Sequence, residues 1–189
     1  MLNGGPLNSA ELNSAAQSVV PGPEPIIPGY AFTWRAIVRV GDDDVTPLLT
    51  GEIEVDREEG AAGVASFSIY LGDGPVVPTD WIGRTVTIDY ATETAGELSQ
   101  GRRFTGRVTQ PAWNPVRRVL DVSCTDQLQQ RVEAMEIAAV DALVGGAWSA
   151  DVFEPVDGRS RWDYAQERLT SVTGSLDCSP YGALRVTSW

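Results

Sequence analysis

The stretches Arg103-Phe104-Thr105-Gly106-Arg107-Val108-Thr109 and Arg118-Val119-Leu120-Asp121-Val122-Ser123-Cys124 decide the fold class. Apolar and polar side chains alternate in both, which is the period of a strand with one buried face. The period then changes, because Asp126 precedes apolar residues at helical spacing, namely Leu128, Val132 and Met135. Asp126 is suited to cap this helix, with Gln129 completing a capping box. The two stretches therefore predict strands that lead into a covering helix.

The same alternation occurs earlier in the chain, in residues 32–40, 51–56, 64–71 and 85–90. In residues 32–40, one face collects Phe32, Trp34, Ala36, Val38 and Val40, so we expect Trp34 to face the core. Turns that contain glycine and proline separate these strands, and the chain has 19 Gly and 12 Pro. Many short strands with such turns predict a mainly β fold, either a small barrel or a sandwich.

A second, α+β part follows the predicted covering helix. Residues 137–157 are small and apolar, and we expect a strand or two there. A helix is predicted from Ser160, with Asp163 as its capping partner, and strands follow in residues 176–178 and 183–187. The predicted domains are therefore a β-barrel domain over residues 29–136 and an α+β domain over residues 137–189. No closing element follows the last strand, so we expect either one half of a split protein or a second domain that another chain completes.

Residues 1–28 do not have the pattern of a packed element. Leucine–asparagine pairs recur every five residues, at Leu2, Asn3, Leu7, Asn8, Leu12 and Asn13. Four prolines follow, at Pro21, Pro23, Pro25 and Pro28, and they favour an extended, semi-rigid connector. The segment is interpreted either as a disordered tail or as an extended arm whose leucines dock on a neighbouring subunit. Evenly spaced leucines favour the arm.

Composition narrows the classes of function. The chain has no histidine, which removes Ser-His-Asp and Cys-His catalysis and the commonest zinc sites. Its net charge of −12 argues against non-specific binding to nucleic acid. There is no secretory signal and no apolar run long enough to span a membrane, so we expect synthesis in the cytoplasm. In that compartment Cys124 and Cys178 are expected to be buried free thiols, with a disulfide as the alternative.

Carboxylate pairs are the remaining catalytic candidates. Glu58 with Glu59, or Asp151 with Glu154, would be the acid and base of a wall-degrading hydrolase. Adjacent carboxylates near glycine-rich turns are more often solvated charges, and no other titratable group converges on them. We therefore predict that the chain is not an enzyme and that it has no cofactor and no metal.

The order of these elements resembles the hub proteins of phage tails, which include late-control-type hubs and the related spike proteins of type VI secretion. The segments that carry the resemblance are residues 103–109, Trp113-Asn114-Pro115 and residues 120–128. The family's aromatic-x-Gly-x-Val strand is matched by Phe104, Gly106 and Val108, and its strand-ending acid by Asp126. Gly106 is expected to bend its strand at a barrel corner, and Asp126 to start the helix that covers the barrel.

The resemblance implies a structural role in a virion. The chain would join the tail tube to the tip as part of a baseplate hub, in a homo-oligomeric ring, usually a homotrimer, around the DNA channel. Its partners would be the tail tube or distal tail protein and other hub, tip or fibre proteins. An acidic lumen would repel the passing DNA, with no sequence-specific contact.

Two other functions are consistent with the same pattern. A distal tail ring protein also contains a β-barrel, and it differs in being usually hexameric. A carbohydrate- or receptor-binding β module is favoured by six tryptophans, because aromatic rings anchor sugars and interfaces alike. Trp113, in a turn flanked by proline, is the best candidate for such a contact.

Overall fold

The computed structural model describes residues 32–72, 80–94, 97–145, 160–170 and 172–188. Within these ranges, nine strands, one short 3₁₀-helix and three α-helices follow one another. The elements are β1 (Phe32–Val40), β2 (Asp43–Asp44), the 3₁₀-helix (Thr46–Leu48), β3 (Leu49–Asp56), β4 (Val64–Tyr70), β5 (Thr85–Thr94), β6 (Glu97–Asn114), β7 (Val119–Thr125), α1 (Leu128–Glu133), α2 (Ile137–Val144), α3 (Arg161–Leu169), β8 (Gly174–Cys178) and β9 (Leu184–Ser188). The fold is mainly β with few helices, as predicted.

Strands β1 to β7 form one antiparallel sheet in the order β2-β1-β5-β6-β7-β4-β3. Strands from both ends of this order contribute to a single hydrophobic core. Its largest fully buried side chains come from β1, β4, β5, β6 and β7: Val38, Val40, Phe67, Ile69, Val86, Phe104, Val108, Leu120 and Val122. Because distant strands share one core, the sheet curls so that its two ends face each other. Closure of this curled sheet into a complete barrel stays a prediction.

Strand β6 joins the two halves of the sheet. Its first part pairs with β5 from Glu97 to Arg107, and its second part pairs with β7 from Arg107 to Asn114. The register shifts once in each part, so that Arg103 and Thr109 are left without a direct partner residue. Such bulges bend a strand and increase its twist. The sequence predicted a strand of residues 103–109 only, because the pattern weakens on both sides of this bent centre.

The second core is built by the helices and the β8–β9 hairpin. Its buried residues are Leu128, Val132, Val140, Val144, Tyr164, Ala165, Leu169, Leu176 and Cys178. Ser160 caps α3, since its Oγ accepts a hydrogen bond from the Asp163 N–H at 3.2 Å. Helix α1 packs in this second core and not in the first, so the two cores divide near Asp126. The predicted domain limits at residues 28/29 and 136/137 stay predictions.

Two details of the secondary structure differ from the expectations. Residues 137–144, the first part of the stretch in which a strand or two was expected, form helix α2, because Val140 and Val144 lie on one helical face in the second core. Residues 146–157, the rest of that stretch, lie outside the described residues. The N-cap of α1 is Gln127, which has a left-handed φ of 58°, and no capping box with Gln129 is present among the described hydrogen bonds. Within the described ranges, no helix has the length and hydrophobicity needed to cross a membrane.

Candidate assembly surface

A cleft of about 700 Å³ opens where the two ends of the curled sheet face each other. One wall is formed by β1, β5 and β6, the opposite wall by β3, and the turn between β8 and β9 adds Pro180. The side chains that line the cleft include Trp34, Ala36, Ile53, Val55, Ile88, Tyr90 and Arg103. Most of these are apolar, and we call this region the seam cleft.

A stacked aromatic pair, the exposed Trp34 and the half-buried Tyr90, lines the seam cleft. Trp34 stacks on Tyr90 with ring centroids 6.1 Å apart and 20° between the planes. The pair forms because Tyr90 lies opposite Ala36 across the β1–β5 ladder, one pleat away from Trp34 on the same face. Trp34 is 66% exposed, so the expectation that it is a core residue was wrong. It lies on the core face of β1, but beyond the end of the packed core.

Two arginines on β6 have different roles beside this pair. The Arg103 guanidinium lies 5.4 Å from the centre of the Tyr90 ring, and no ion pair joins Arg103 to a carboxylate within the described residues. Arg102 forms an ion pair with the buried Asp89 and also donates to Thr105 Oγ1 at 3.1 Å. Arg103 is therefore a cationic group of the cleft whose described contact is the face of an aromatic ring.

The same part of β6 holds the β8–β9 turn in place. Thr105 Oγ1 donates to the Pro180 carbonyl at 2.8 Å, and the Gly182 carbonyl accepts from Arg131 Nη1 at 2.7 Å. On the opposite side, Arg57 Nη1 donates to the Cys178 carbonyl at 3.2 Å. These bonds attach the helical part to the curled sheet, so Pro180 lines a cleft that both parts build.

The predicted motif Phe104, Gly106 and Val108 lies in the centre of β6, and all three residues are buried. A Cβ atom on Gly106 would lie 2.5 Å from the Thr125 carbonyl oxygen and 2.5 Å from Phe104 Cζ. The strands approach each other here more closely than a side chain permits. Gly106 stands between the two register shifts of β6, at the point where the partner of this strand changes from β5 to β7.

Asp126 connects the sheet to helix α1. Its carboxylate is buried and accepts two hydrogen bonds, from the Gly63 N–H at 2.9 Å and from the Leu128 N–H at 3.0 Å. The Asp126 N–H donates in turn to the Gly63 carbonyl at 3.0 Å. Asp126 thus supports the first turn of α1 through Leu128, although it is one residue before the N-cap. The sequence did not indicate that the Asp126 carboxylate would form a hydrogen bond with the loop that contains Gly63.

Of the predicted interface residues, Trp113 is the one that lies within the described part of the chain. Trp113 lies in β6 opposite Leu120, and not in a turn, and it is half-buried against the first core. Its role in an interface stays a prediction. Leu2, Asn3, Leu7, Asn8, Leu12 and Asn13 lie outside the described residues. The aromatic pair Trp34–Tyr90 was missed as a surface feature, because a tryptophan in phase with Val38 and Val40 has the pattern of a core residue.

The catalytic candidates do not form an organised site. Glu58 and Glu59 are exposed, and Glu59 Oε1 accepts a hydrogen bond from Ser175 Oγ at 3.3 Å. Asp151 and Glu154 lie outside the described residues. Among the described residues, no group of His, Cys, Asp and Glu is arranged to hold a metal ion.

Both cysteines are free and buried. Burial raises the pKa of the Cys124 thiol to about 12 and that of the Cys178 thiol to about 11. Thiols with such values are protonated at neutral pH and react slowly. Cys124 and Cys178 therefore act as small core residues, as expected.

The fold is similar to that of phage tail proteins of known structure. The 43 kDa tail protein of prophage MuSo2 from Shewanella oneidensis aligns with a TM-score of 0.51 and 15% identity, over 82% of this chain and 54% of that chain. The tail protein from Neisseria meningitidis MC58 aligns with a TM-score of 0.47 and 17% identity, over 81% and 51%. This chain thus spans about half the length of these proteins. No protein-family model and no curated protein sequence matches it.

Proposed function

We propose that the chain is a structural component of a phage tail, and within the tail a component of the tip or baseplate hub. In this role it joins the tail tube to the tip and forms part of a ring around the DNA channel. The observation that carries the proposal is the shared fold with the MuSo2 tail protein over 82% of this chain. The motif of Phe104, Gly106 and Val108, followed by Asp126, supports the narrower assignment to a hub.

The surface of the described part is consistent with assembly. The seam cleft exposes Trp34, which stacks on the half-buried Tyr90 beside Arg103, and aromatic residues and arginine are enriched at protein interfaces. The excess of acidic residues, with a net charge of −12, would keep a channel lumen from binding DNA. Such a protein would be made in the host cytoplasm and would act in the virion.

Symmetry tests the proposal. The chain is co-expressed with the proteins encoded beside it, purified through a tag, and imaged by electron microscopy. We expect a ring with three-fold symmetry that contains this chain. A six-fold ring would assign it to the distal tail ring instead. A chain that stays monomeric and retains no tail protein on purification contradicts a structural role in the tail.

A carbohydrate-binding module is the second candidate, and the exposed ring of Trp34, stacked on Tyr90, favours it. Aromatic faces bind sugar rings, and the seam cleft offers such a face at its mouth. Glycan-array binding by the wild-type chain, lost in Trp34→Ala and kept in Trp113→Ala, would support this function. If the wild-type chain binds no glycan, the carbohydrate-binding function is rejected and the structural role in the tail is the remaining candidate.

A further inference from the structure

We propose that two copies of this chain join edge to edge, so that β1 of one copy pairs with β3 of the next copy. The inference deepens the proposed role in a ring, because it names the surface through which copies meet, and it rests on that role for the expectation that the chain assembles with itself. The two ends of the described sheet match each other in strand direction, free backbone groups, side-chain faces and charge.

Strands β1 and β3 are the two long strands at the ends of the sheet. Five antiparallel pairings connect them, in the order β1-β5-β6-β7-β4-β3. Because the number of reversals is odd, β1 and β3 run in opposite directions. When β3 of a second copy is placed beside β1, the sheet therefore continues as an antiparallel sheet.

The free backbone groups of β1 belong to Trp34 and Ala36. Within the described residues, β2 pairs only with the last two residues of β1, and the rest of β1 has a neighbouring strand on the β5 side alone. Val38 directs its backbone away from β5, since its carbonyl accepts from the Val45 N–H at 3.0 Å. Backbone groups alternate sides with a period of two, so those of Trp34 and Ala36 point to the same open side.

The free backbone groups of β3 belong to Ile53 and Val55. The Asp126 N–H donates to the Gly63 carbonyl at 3.0 Å, so residues of β4 an even number of positions from Gly63 direct their backbone toward β7. The residues between them direct it toward β3, and one of these lies opposite Glu54. Glu54 therefore directs its backbone to β4. Ile53 and Val55 direct theirs to the other side, where no strand lies within the described residues.

The side chains of these same residues lie on one face of the sheet. Trp34 and Ala36 line the seam cleft from β1, and Ile53 and Val55 line it from β3. Residues directly opposite each other in an antiparallel pair share a face, so pairing of the two edges brings these apolar side chains together. A shift by one residue would lose both the hydrogen bonds and the match of faces. The register that places Ala36 opposite Ile53 satisfies both conditions.

In this register Arg35 lies opposite Glu54 on the outer face. Both side chains are exposed, and no ion pair joins either of them to another described residue. The described contact of the Glu54 carboxylate is a hydrogen bond from Ser66 Oγ at 3.4 Å. Opposite charges directly across two strands stabilise the pairing, and like charges oppose it. Two copies of β1 would bring arginines together and two copies of β3 would bring carboxylates together, so charge favours β1 against β3.

Within one chain these two edges do not meet. No ladder joins β1 to β3 among the described residues, and the seam cleft of about 700 Å³ lies between them. A contact between unlike edges is heterologous, so its repetition produces a closed ring when the rotation from copy to copy allows closure. The same pairing covers two strand edges that would otherwise be open to non-specific association.

Disulfide cross-linking of the chain tests the pairing. Arg35→Cys and Glu54→Cys place thiols at directly opposed positions between hydrogen-bonded pairs, where Cα atoms lie about 4.5 Å apart, within the range of a disulfide. We expect the two variants, mixed under mild oxidation, to form a disulfide-linked dimer of unlike chains, identified by mass spectrometry. Arg35→Cys mixed with Asp121→Cys is the matched control, since Asp121 is also exposed but lies on β7, and it should form no such dimer. The native thiols, Cys124 and Cys178, are buried.

Charge reversal gives a second readout, measured by sedimentation. We expect the wild-type chain to associate, Arg35→Glu and Glu54→Arg each to weaken the association about tenfold, and the double variant to restore it. Asp121→Arg, a reversal away from the two edges, should leave the association unchanged. Circular dichroism and melting temperatures equal to those of the wild type show that the variants are folded.

Three results would overturn the inference. If the wild-type chain associates but neither reversal weakens it, copies meet through another surface and the proposed role in a ring is unaffected. If the wild-type chain stays monomeric at every concentration, copies do not pair, whereas the proposed role in the tail fails only if purification retains no tail protein either. If a variant with both new cysteines forms a disulfide within one monomer, β1 closes on β3 of the same chain.

Discussion

The carboxylate of Asp126 lies 2.9 Å from the backbone nitrogen of Gly63, a residue 63 positions away in the chain. The same carboxylate accepts from the Leu128 N–H, so one buried side chain holds a loop of the sheet against the first turn of α1. The two hydrophobic cores divide at this point. These two hydrogen bonds explain how β7, which ends at Thr125, is followed directly by helix α1, which packs in the second core.

Replacement of Asp126 should therefore destabilise both parts. Asp126→Ala removes the acceptor of two buried N–H groups, and we expect a loss of about 2–4 kcal/mol in the free energy of unfolding. Asp42→Ala is the control, since Asp42 is exposed in a turn, and it should change stability by less than about 0.5 kcal/mol. Urea denaturation measures both variants. Equal stabilities would show that the Asp126–Gly63 bond does not support the junction.

Gly106 should not tolerate a side chain. Gly106→Ala places Cβ 2.5 Å from the Thr125 carbonyl oxygen, and we expect a loss of about 3 kcal/mol or failure to fold. Gly101→Ala is the matched control in the same strand, because nothing lies within 4 Å of its Cβ position. That variant should keep wild-type stability to within about 0.5 kcal/mol. A folded, stable Gly106→Ala protein would contradict the close approach of β6 and β7.

The extent to which the sequence predicted the fold depends on how local each signal is. Alternation in residues 64–70 predicted β4 well, because Ala65, Phe67 and Ile69 all face one core. The 18 residues of β6 were predicted only in part, since its bulges and its change of partner break the alternation that a single face imposes. Helix α2 was not predicted in residues 137–144, because a short apolar run has no period that distinguishes a helix from a strand.

The candidate site was harder to predict than the fold. Gly106 and Asp126 were identified because a glycine within a strand and an acid before a helix have local causes. The stacking of Trp34 on Tyr90 joins strands that are far apart in sequence, and the exposure of Trp34 depends on where the core ends. Alternation indicates the face on which a residue lies. It does not indicate whether that face is covered at that point.

Arg168 and Arg185 each form an ion pair with an aspartate, but replacing them should change the free energy of unfolding by different amounts. Arg168 is buried between α2 and α3, where it forms an ion pair with Asp141 and donates to the Gly145 carbonyl at 2.8 Å. Arg185 pairs with Asp177 at 2.7 Å, but its side chain is 51% exposed. We expect Arg168→Ala to cost about 2–4 kcal/mol, and Arg185→Ala less than about 1 kcal/mol.

Thermal and urea unfolding of the two variants measure this difference. The Tyr164 hydroxyl donates to the same Asp141 carboxylate at 2.7 Å, so loss of Arg168 leaves that group only partly satisfied. Similar costs for the two substitutions would mean that the packing between α2 and α3 does not rely on the buried arginine.

The buried thiols should make stability fall in alkaline solution. Burial raises the pKa of Cys124 from 9.0 to about 12, so the native state binds its proton more tightly than the unfolded state does. The stability that this tighter proton binding contributes is fully present below pH 9 and is lost as the pH rises from 9 toward 12.

Other groups titrate in this pH range too, so the wild type is compared with Cys124→Ala, whose stability lacks the contribution of the thiol at every pH. Under reducing conditions, the difference in unfolding free energy between wild type and variant should shrink above pH 9, by up to about 1.4 kcal/mol per pH unit. A difference that is the same at pH 8 and pH 10.5 would show that the thiol ionises as readily in the folded protein as in the unfolded chain, and that Cys124 is not enclosed by the core.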